Sequence, residues 1–197
     1  MELPVGEFIS QGLEKEVPQS ARTLLESNVK DEIKHDLALG FIVESHGSDP
    51  IAEMEAIRLR DAWIQHPDHT ITKALVAERA IFFVLLPMFR FLGDAALRTV
   101  SADISRDEQI HVATNSLVCR ELGLVPSNSL DKLRKATISW VLQPLKTSPD
   151  KHLDKSFWLD ASDRLMYEGK APQFADTKAA RMPAFFEHAN TNLPQYA

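Results

Sequence analysis

Apolar residues recur along this chain every three to four positions, and no segment shows strand-like alternation. The pattern predicts an all-α protein. A short amphipathic stretch spans about Val5–Glu16, with Phe8, Ile9 and Leu13 on one side, and Pro18-Gln19-Ser20 breaks it. A helix over about Ala21–Ser45 follows and stops at Gly47. Ser48-Asp49-Pro50 opens the next, a capping residue followed by proline in the first turn, and this helix ends before Pro67. Thr70 reads as the cap of a helix running to Phe91-Leu92, closed by Gly93 and kinked at Pro87. Asp94 caps a long helix to Leu122, closed by Gly123. Two further helices are expected at about Leu130–Leu145 and Lys151–Tyr167, before an irregular, proline-bearing end. Long helices joined by short turns imply antiparallel neighbours, hence a bundle over about residues 5–123 with a C-terminal extension over 124–197, one domain in all. The Asp49–Gln65 helix would be the crossover between the second and third bundle helices.

Composition narrows the class. A chain of 197 residues supports one substantial core rather than two. The net charge of -6 gives no electrostatic case for nucleic acid. The single cysteine, Cys119, rules out an internal disulfide framework or thiolate cage, and the default expectation is a reducing, cytoplasmic setting. Neither a membrane-spanning run nor a signal-like start is read from the sequence.

Two segments carry the chemistry. Asp31-Glu32-Ile33-Lys34-His35 and Asp107-Glu108-Gln109-Ile110-His111 are both Asp-Glu-x-x-His, each inside a predicted long helix. Residues three apart share a helix face, so Glu32 with His35, and Glu108 with His111, can each grip a metal ion. With 14 Glu and 7 His in the chain, Glu-x-x-His alone is expected about 0.5 times by chance, and the Asp-preceded form about 0.035 times. Two copies are therefore a signal. The bland alternative is a pair of solvated helix faces. Against it stand the apolar flanks, Leu25, Val29, Ile33 and Leu39 around the first motif and Ile104, Ile110 and Val112 around the second, because acids among apolar residues are costly unless paired or metal-bound.

A two-metal helical site also needs a Glu from each of two other helices. Glu78 sits in a run that is apolar but for itself and Arg79; the alternative is a salt bridge with Arg79 or Arg90. In an antiparallel pair, residues equally far from the turn meet. Glu78 lies 15 residues before Gly93 and Glu108 lies 15 after it, which puts both roughly 22 Å from the turn. The same test from the turn near Gln19 selects a position about residue 6 opposite Glu32, and Glu7 beside it is the candidate fourth donor; otherwise water or another acid fills that place. Carboxylates and imidazoles without thiolate suit iron, with manganese as the alternative, whereas zinc prefers fewer ligands.

The order Glu, Glu-x-x-His, Glu, Glu-x-x-His resembles the ferritin-like di-iron carboxylate family, over about Glu7 to Gly123 and through spacing rather than overall identity. That resemblance implies a ferritin-like four-helix bundle holding two iron ions. In it Glu32 and Glu108 would bridge, Glu7 and Glu78 would be terminal ligands, and His35 and His111 would each bind one iron. Asp31 and Asp107 would each accept from the free ring nitrogen of the opposite histidine; their plain alternative is helix-surface acids. It also implies reaction with dioxygen. Three functions then compete. A radical-generating subunit like that of ribonucleotide reductase would need a tyrosine near the iron, and Tyr167 and Tyr196 lie outside the ligand helices. A ferritin-type iron oxidase or peroxide scavenger would end soon after the fourth helix, and this chain continues with Trp140, Phe157, Trp158, Phe185 and Phe186, which are expected to pack on the bundle and can build a substrate pocket or a homodimer contact. The favoured expectation is an oxygenase or hydroxylase acting on a small apolar molecule, fed by an external reductase or ferredoxin. Ile81, Phe82 and Phe83 are the candidate pocket, with plain core packing as the alternative. His46, His66, His69, His152 and His188 lack ligand spacing and read as surface or loop residues.

Overall fold

The computed structural model describes residues 3–15 and 17–174. Among them the protein is helical, with one isolated bridge between Lys146 and Asp154. The helices are α1 (Val5–Leu13), α2 (Gln19–His46), α3 (Pro50–Gln65), α4 (Thr70–Ala77), α5 (Phe83–Leu92), α6 (Ala95–Glu121), α7 (Asn128–Val141) and α8 (Lys155–Glu168); a π turn, Glu78–Phe82, joins α4 to α5. No helix of the described residues is long and apolar enough to cross a membrane.

Local chemistry sets most boundaries. The Asp49 carboxylate accepts from the Ile51 amide at 2.9 Å and Asp94 from Leu97 at 2.8 Å, so each satisfies a donor that the first turn leaves open. Thr70 is not a cap but the first residue of α4; His69 caps it, its Nδ1 accepting from the Ile71 amide at 3.2 Å. Gly47 and Gly123 follow α2 and α6 at φ 78° and 64°, where a side chain would be strained. Pro87 lies inside α5, and the irregularity near it is the π turn just upstream, which ends next to Phe83, the residue whose carbonyl a proline four places on cannot bond.

Four helical segments close into a ring: α1 packs on α2 and α4, and α6 packs on α2 and on α4–α5. Neighbours run antiparallel, as residue pairs show. Arg22 reaches the Leu13 carbonyl at 3.2 Å and Gly6 lies against Glu32; His35 meets Asp107 while His111 meets Asp31. Between α4 and α6, Thr72 meets Cys119 and Glu78 meets Asn115. The hydrophobic core draws on every helix of the ring and extends to α7 and α8, with Phe8, Ile9, Leu25, Ile71 and Ile81 all fully buried.

The crossover α3 is anchored at one end only. Trp63 is its one fully buried side chain, and its indole donates to Thr137 of α7 at 2.9 Å. Lys73, itself buried, donates to the last carbonyls of α3, Trp63 and Ile64. Ile51, Met54 and Ile57, toward the other end, are exposed. Helix α7 packs over α4 and the π turn and α8 over the π turn and α5, and Trp158 and Phe157 meet Phe91, His152 and Phe174 there in tilted and edge-on ring contacts. The expected packing of the extension therefore holds for Trp158 and Phe157, and Trp140 is half-buried. Phe185, Phe186, His188 and Tyr196 lie outside the described residues. His152 lies in a turn, as a loop residue, but not at the surface: it is buried, its ring stacked on Phe91 at 4.5 Å.

Candidate metal centre

Helix α2 buries Leu25, Asn28, Glu32 and His35, and α6 buries Ile104, Glu108, His111 and Asn115, two stripes at three- and four-residue spacing that face each other. The apolar flanks behave unevenly. Leu25 and Ile104 are buried, but Ile33 and Ile110 point outward and are exposed, as their place one or two residues from the glutamates requires. From the third helix the π turn begins at Glu78, which is fully buried.

These residues converge. One ligand atom from each of Glu32, Glu78, Glu108 and His111 lies within 4.8 Å of the others, close enough to hold a metal ion. The His111 Nδ1 is 3.2 Å from Glu32 and 3.8 Å from both Glu78 and Glu108. The His35 Nδ1 stands 3.4 Å from Glu108 and 3.6 Å from Glu32, and the two rings are 5.8 Å apart between centroids. Both imidazoles thus turn Nδ1 inward and Nε2 outward, each toward the aspartate of the opposite motif: His35 to Asp107 at 3.1 Å and His111 to Asp31 at 3.6 Å. The first is a hydrogen bond and the second is too long for one.

Glu7 is not in this group. It is exposed on the outer face of α1, and the residue that faces Glu32 is its neighbour Gly6, whose Cβ, if present, would stand 3.1 Å from the Glu32 Cβ. Equal distance from the turn identified the level correctly, but one residue along a helix is a rotation of about 100°. Arg79 is not a partner of Glu78 either; its guanidinium donates to the Leu165 carbonyl at 2.7 Å. Ile81 is fully buried and Phe82 packs against the core, so both serve as packing, and Phe83 is half-buried. A groove of about 510 Å³ lies elsewhere, between α3, α5 and α7, walled by Ile51, Leu85, Phe89 and Trp140 among others, and no residue of the carboxylate–histidine cluster lines it.

Three contributors were missed from the sequence. Asn115 donates to the Glu78 carboxylate at 2.7 Å and fixes one of its oxygens. It lies four residues after His111, on the same face, but asparagine at helical spacing is too common a feature to single out. Asn28, one turn before Glu32, is buried with its Nδ2 lacking a hydrogen-bond partner. The third is a clamp on the π turn. Ser162 of α8 donates to the Ala80 carbonyl at 2.6 Å, and the fully buried Arg134 of α7 donates to Ser162 at 2.6 Å and to Asp163 and Asp131. A π turn leaves carbonyls without their usual helical donors, and Ser162 takes up one of them two residues from Glu78. These partners sit more than fifty positions from Ala80 in every case, and no local pattern announces them.

The electrostatics show what the cluster lacks. Burial, and then the nearby carboxylates of Glu108 and Glu32, push the Glu78 carboxyl well above its ordinary range; burial likewise raises Glu108. Burial alone would lower both imidazoles, but the carboxylates around them more than reverse this: His35 is pushed up to about 10 and His111 is also raised. Glu32 moves down despite its burial, because both histidines face it. The metal-free centre therefore holds extra protons. Even so, Glu32 Oε1, Glu78 Oε1, both Glu108 oxygens, the Nδ1 of both histidines and the Nε2 of His111 are buried with no hydrogen-bond partner. Buried polar atoms are rarely left so, and inward-facing carboxylate oxygens and imidazole nitrogens with no lysine or arginine among them fit a divalent cation.

A pH dependence follows. His35, His111, Glu78 and Glu108 all bind protons more tightly folded than unfolded. Their stabilisation is fully present below the unfolded values and is lost as pH rises through the folded ones. The metal-free protein should therefore melt at a lower temperature at pH 9 than at pH 6.5. Thermal melts in chelator check this, and a melting temperature that is flat or rises over that window would contradict it.

Compared with models of known protein families, with curated proteins and with solved structures, the chain finds no match, so the assignment of its centre stands on the geometry above.

Proposed function

We propose that the protein is an oxygen-activating, non-haem di-iron oxidoreductase of the ferritin-like type, acting on a small apolar organic molecule. The observation that supports it most is the convergence of three buried glutamates and two buried histidines from α2, the π turn and α6, unpaired by any lysine or arginine. The ring of antiparallel helices and the paired Asp-Glu-x-x-His motifs are those the resemblance to the di-iron carboxylate family calls for.

In this reading Glu32 and Glu108, which each face both histidines, would hold two ions together with His35 and His111, and Glu78 would add its carboxylate on the His111 side. Hard oxygen and nitrogen donors suit Fe(II), with manganese as the alternative. When bound, a di-iron centre supplies the electrons and the open positions with which dioxygen is reduced. The chain's own residues do the rest. Asp107 holds His35 in the tautomer that leaves Nδ1 free, and Asn115 holds one oxygen of Glu78 so that the other faces the centre. Glu78 and its chain neighbours Ala77, Ala80 and Ile81 are all fully buried, which keeps water from this segment. No nucleotide- or flavin-binding motif is read in the sequence, so an external reductase or ferredoxin would supply electrons.

Loading with Fe(II) under anaerobic conditions, followed by oxygen, tests the reading. Consumption of oxygen in proportion to the bound iron, with excess Fe(II) left largely unoxidised, is the expected result. Sustained oxidation of the excess would move the assignment to a ferritin-type iron oxidase, and no oxygen consumption would remove the oxygen-activating role. Asp107→Ala should weaken the ion at His35 by about 10–100-fold, the usual cost of losing a residue that orients a ligand. Competition with a metal-sensitive dye checks this, and unchanged affinity would show that Asp107 is only a surface acid.

A further inference from the structure

The two histidines do not see equal surroundings. His111 Nδ1 faces three carboxylates, Glu32, Glu78 and Glu108, and Glu78 is held in place by Asn115. His35 Nδ1 faces two, Glu32 and Glu108, both shared with the other side. The helix placed to supply a third is α1, and at its contact with Glu32 it carries Gly6. The α1 backbone comes so close there that a Cβ would stand 3.1 Å from Glu32, and Glu7 points away to solvent.

Charge counts in the same direction. Three buried carboxylates more than balance one divalent ion but fall short of two, and uncompensated charge in a buried site is costly. The first ion removes most of the repulsion among the glutamates. The second adds net positive charge and has one protein oxygen donor fewer.

We propose that the centre has two unequal metal positions: a tight one at His111, completed by Glu78, and a weak one at His35, which takes its ion together with a small anionic oxygen donor such as hydroxide or a carboxylate. This rests on the two-metal reading above and goes beyond it by ranking the positions. The weak position is the one with exchangeable coordination, so a carboxylate-bearing ligand would bind on the α1 side of the cluster.

The test is an anaerobic titration of the full chain with Mn(II), counting unbound ion by its electron paramagnetic resonance signal, with and without acetate. Two steps at least about tenfold apart are expected, as for loss of one donor interaction, with acetate tightening only the second. His35→Ala should keep the tight step and lose the weak one; His111→Ala should lose the tight step. Circular dichroism checks that each variant is helical, and the wild-type titration stands independently of both. Two steps of equal affinity, a second step indifferent to acetate, or a tight step lost in His35→Ala and kept in His111→Ala would overturn the ranking while leaving a two-metal centre. No bound Mn(II) in the wild type would overturn the two-metal reading and the ranking with it.

Discussion

Glu108→Ala should leave the protein folded and unable to hold two metal ions. Glu108, like Glu32, faces both histidines, at 3.4 Å from His35 and 3.8 Å from His111, and it is fully buried. Its removal takes a donor from both positions at once, so the loss exceeds the 10–100-fold that follows from losing a single orienting group. The fold should survive because Glu108 is one of three crowded buried acids in the metal-free centre, and relief of that crowding offsets the lost attraction to His35. Burial raises its pKa, Glu32 repels it, and neither of its oxygens has a hydrogen-bond partner. Removing one of several crowded buried acids relieves repulsion that offsets the small cavity created. Metal analysis after dialysis against Fe(II) or Mn(II), alongside a thermal melt in chelator, checks both halves. Two ions per chain in Glu108→Ala would show that the cluster is not the metal centre. A collapse of the metal-free melting temperature would show that Glu108 is a structural residue.

The second large effect is expected away from the carboxylate–histidine cluster. Trp63→Ala should destabilise the protein by about 3–5 kcal/mol, the range for deleting a fully buried large aromatic. For a domain of this size that is a fall in melting temperature of roughly 6–20 °C. Trp63 is the one buried side chain of α3, and its ring is the only anchor of that helix with both an apolar seat and a hydrogen bond, to Thr137. Trp63→Phe keeps much of the volume and loses the bond, so it should cost nearer 1 kcal/mol beyond the lost volume. Since α3 contributes no residue to the carboxylate–histidine cluster, metal stoichiometry should be unchanged in both. Thermal melts with and without metal read the two quantities separately; a Trp63→Ala protein as stable as the wild type would mean that α3 is not held by this residue.

Much of this organisation was legible because it is local. The helix caps at Asp49 and Asp94, the glycines after α2 and α6, and the two Asp-Glu-x-x-His faces all depend on residues within one or two turns. Glu78 was legible because a lone acid in an apolar run needs a reason to be there. What failed is instructive in each case. Glu7 was chosen by its height along a helix, and height carries no azimuth; Gly6, at that level, has no side chain to attract notice. Along α3, Ile51, Met54 and Ile57 recur at helical spacing yet are exposed, since periodicity says that a face exists and not what covers it. His152 lacked ligand spacing and read as a surface or loop residue; it does lie in a turn, but it is buried there, because its partner, the Phe91 ring, is sixty-one positions away. The π turn and its Ser162–Arg134 clamp are tertiary features in the same sense. They determine where Glu78 points, and they are absent from any local pattern.

The central claim is that the buried cluster of Glu32, His35, Glu78, Glu108 and His111 is a two-metal centre. Crystals grown or soaked with Fe(II) or Mn(II), with diffraction collected at the metal's absorption edge, address it directly. Two anomalous peaks among these five side chains are expected, about 3.5–4 Å apart as in other two-metal sites, with Glu32 and Glu108 between them and no donor from Glu7. Full metal content in solution with no anomalous peak inside the α2–α6 cluster would contradict it.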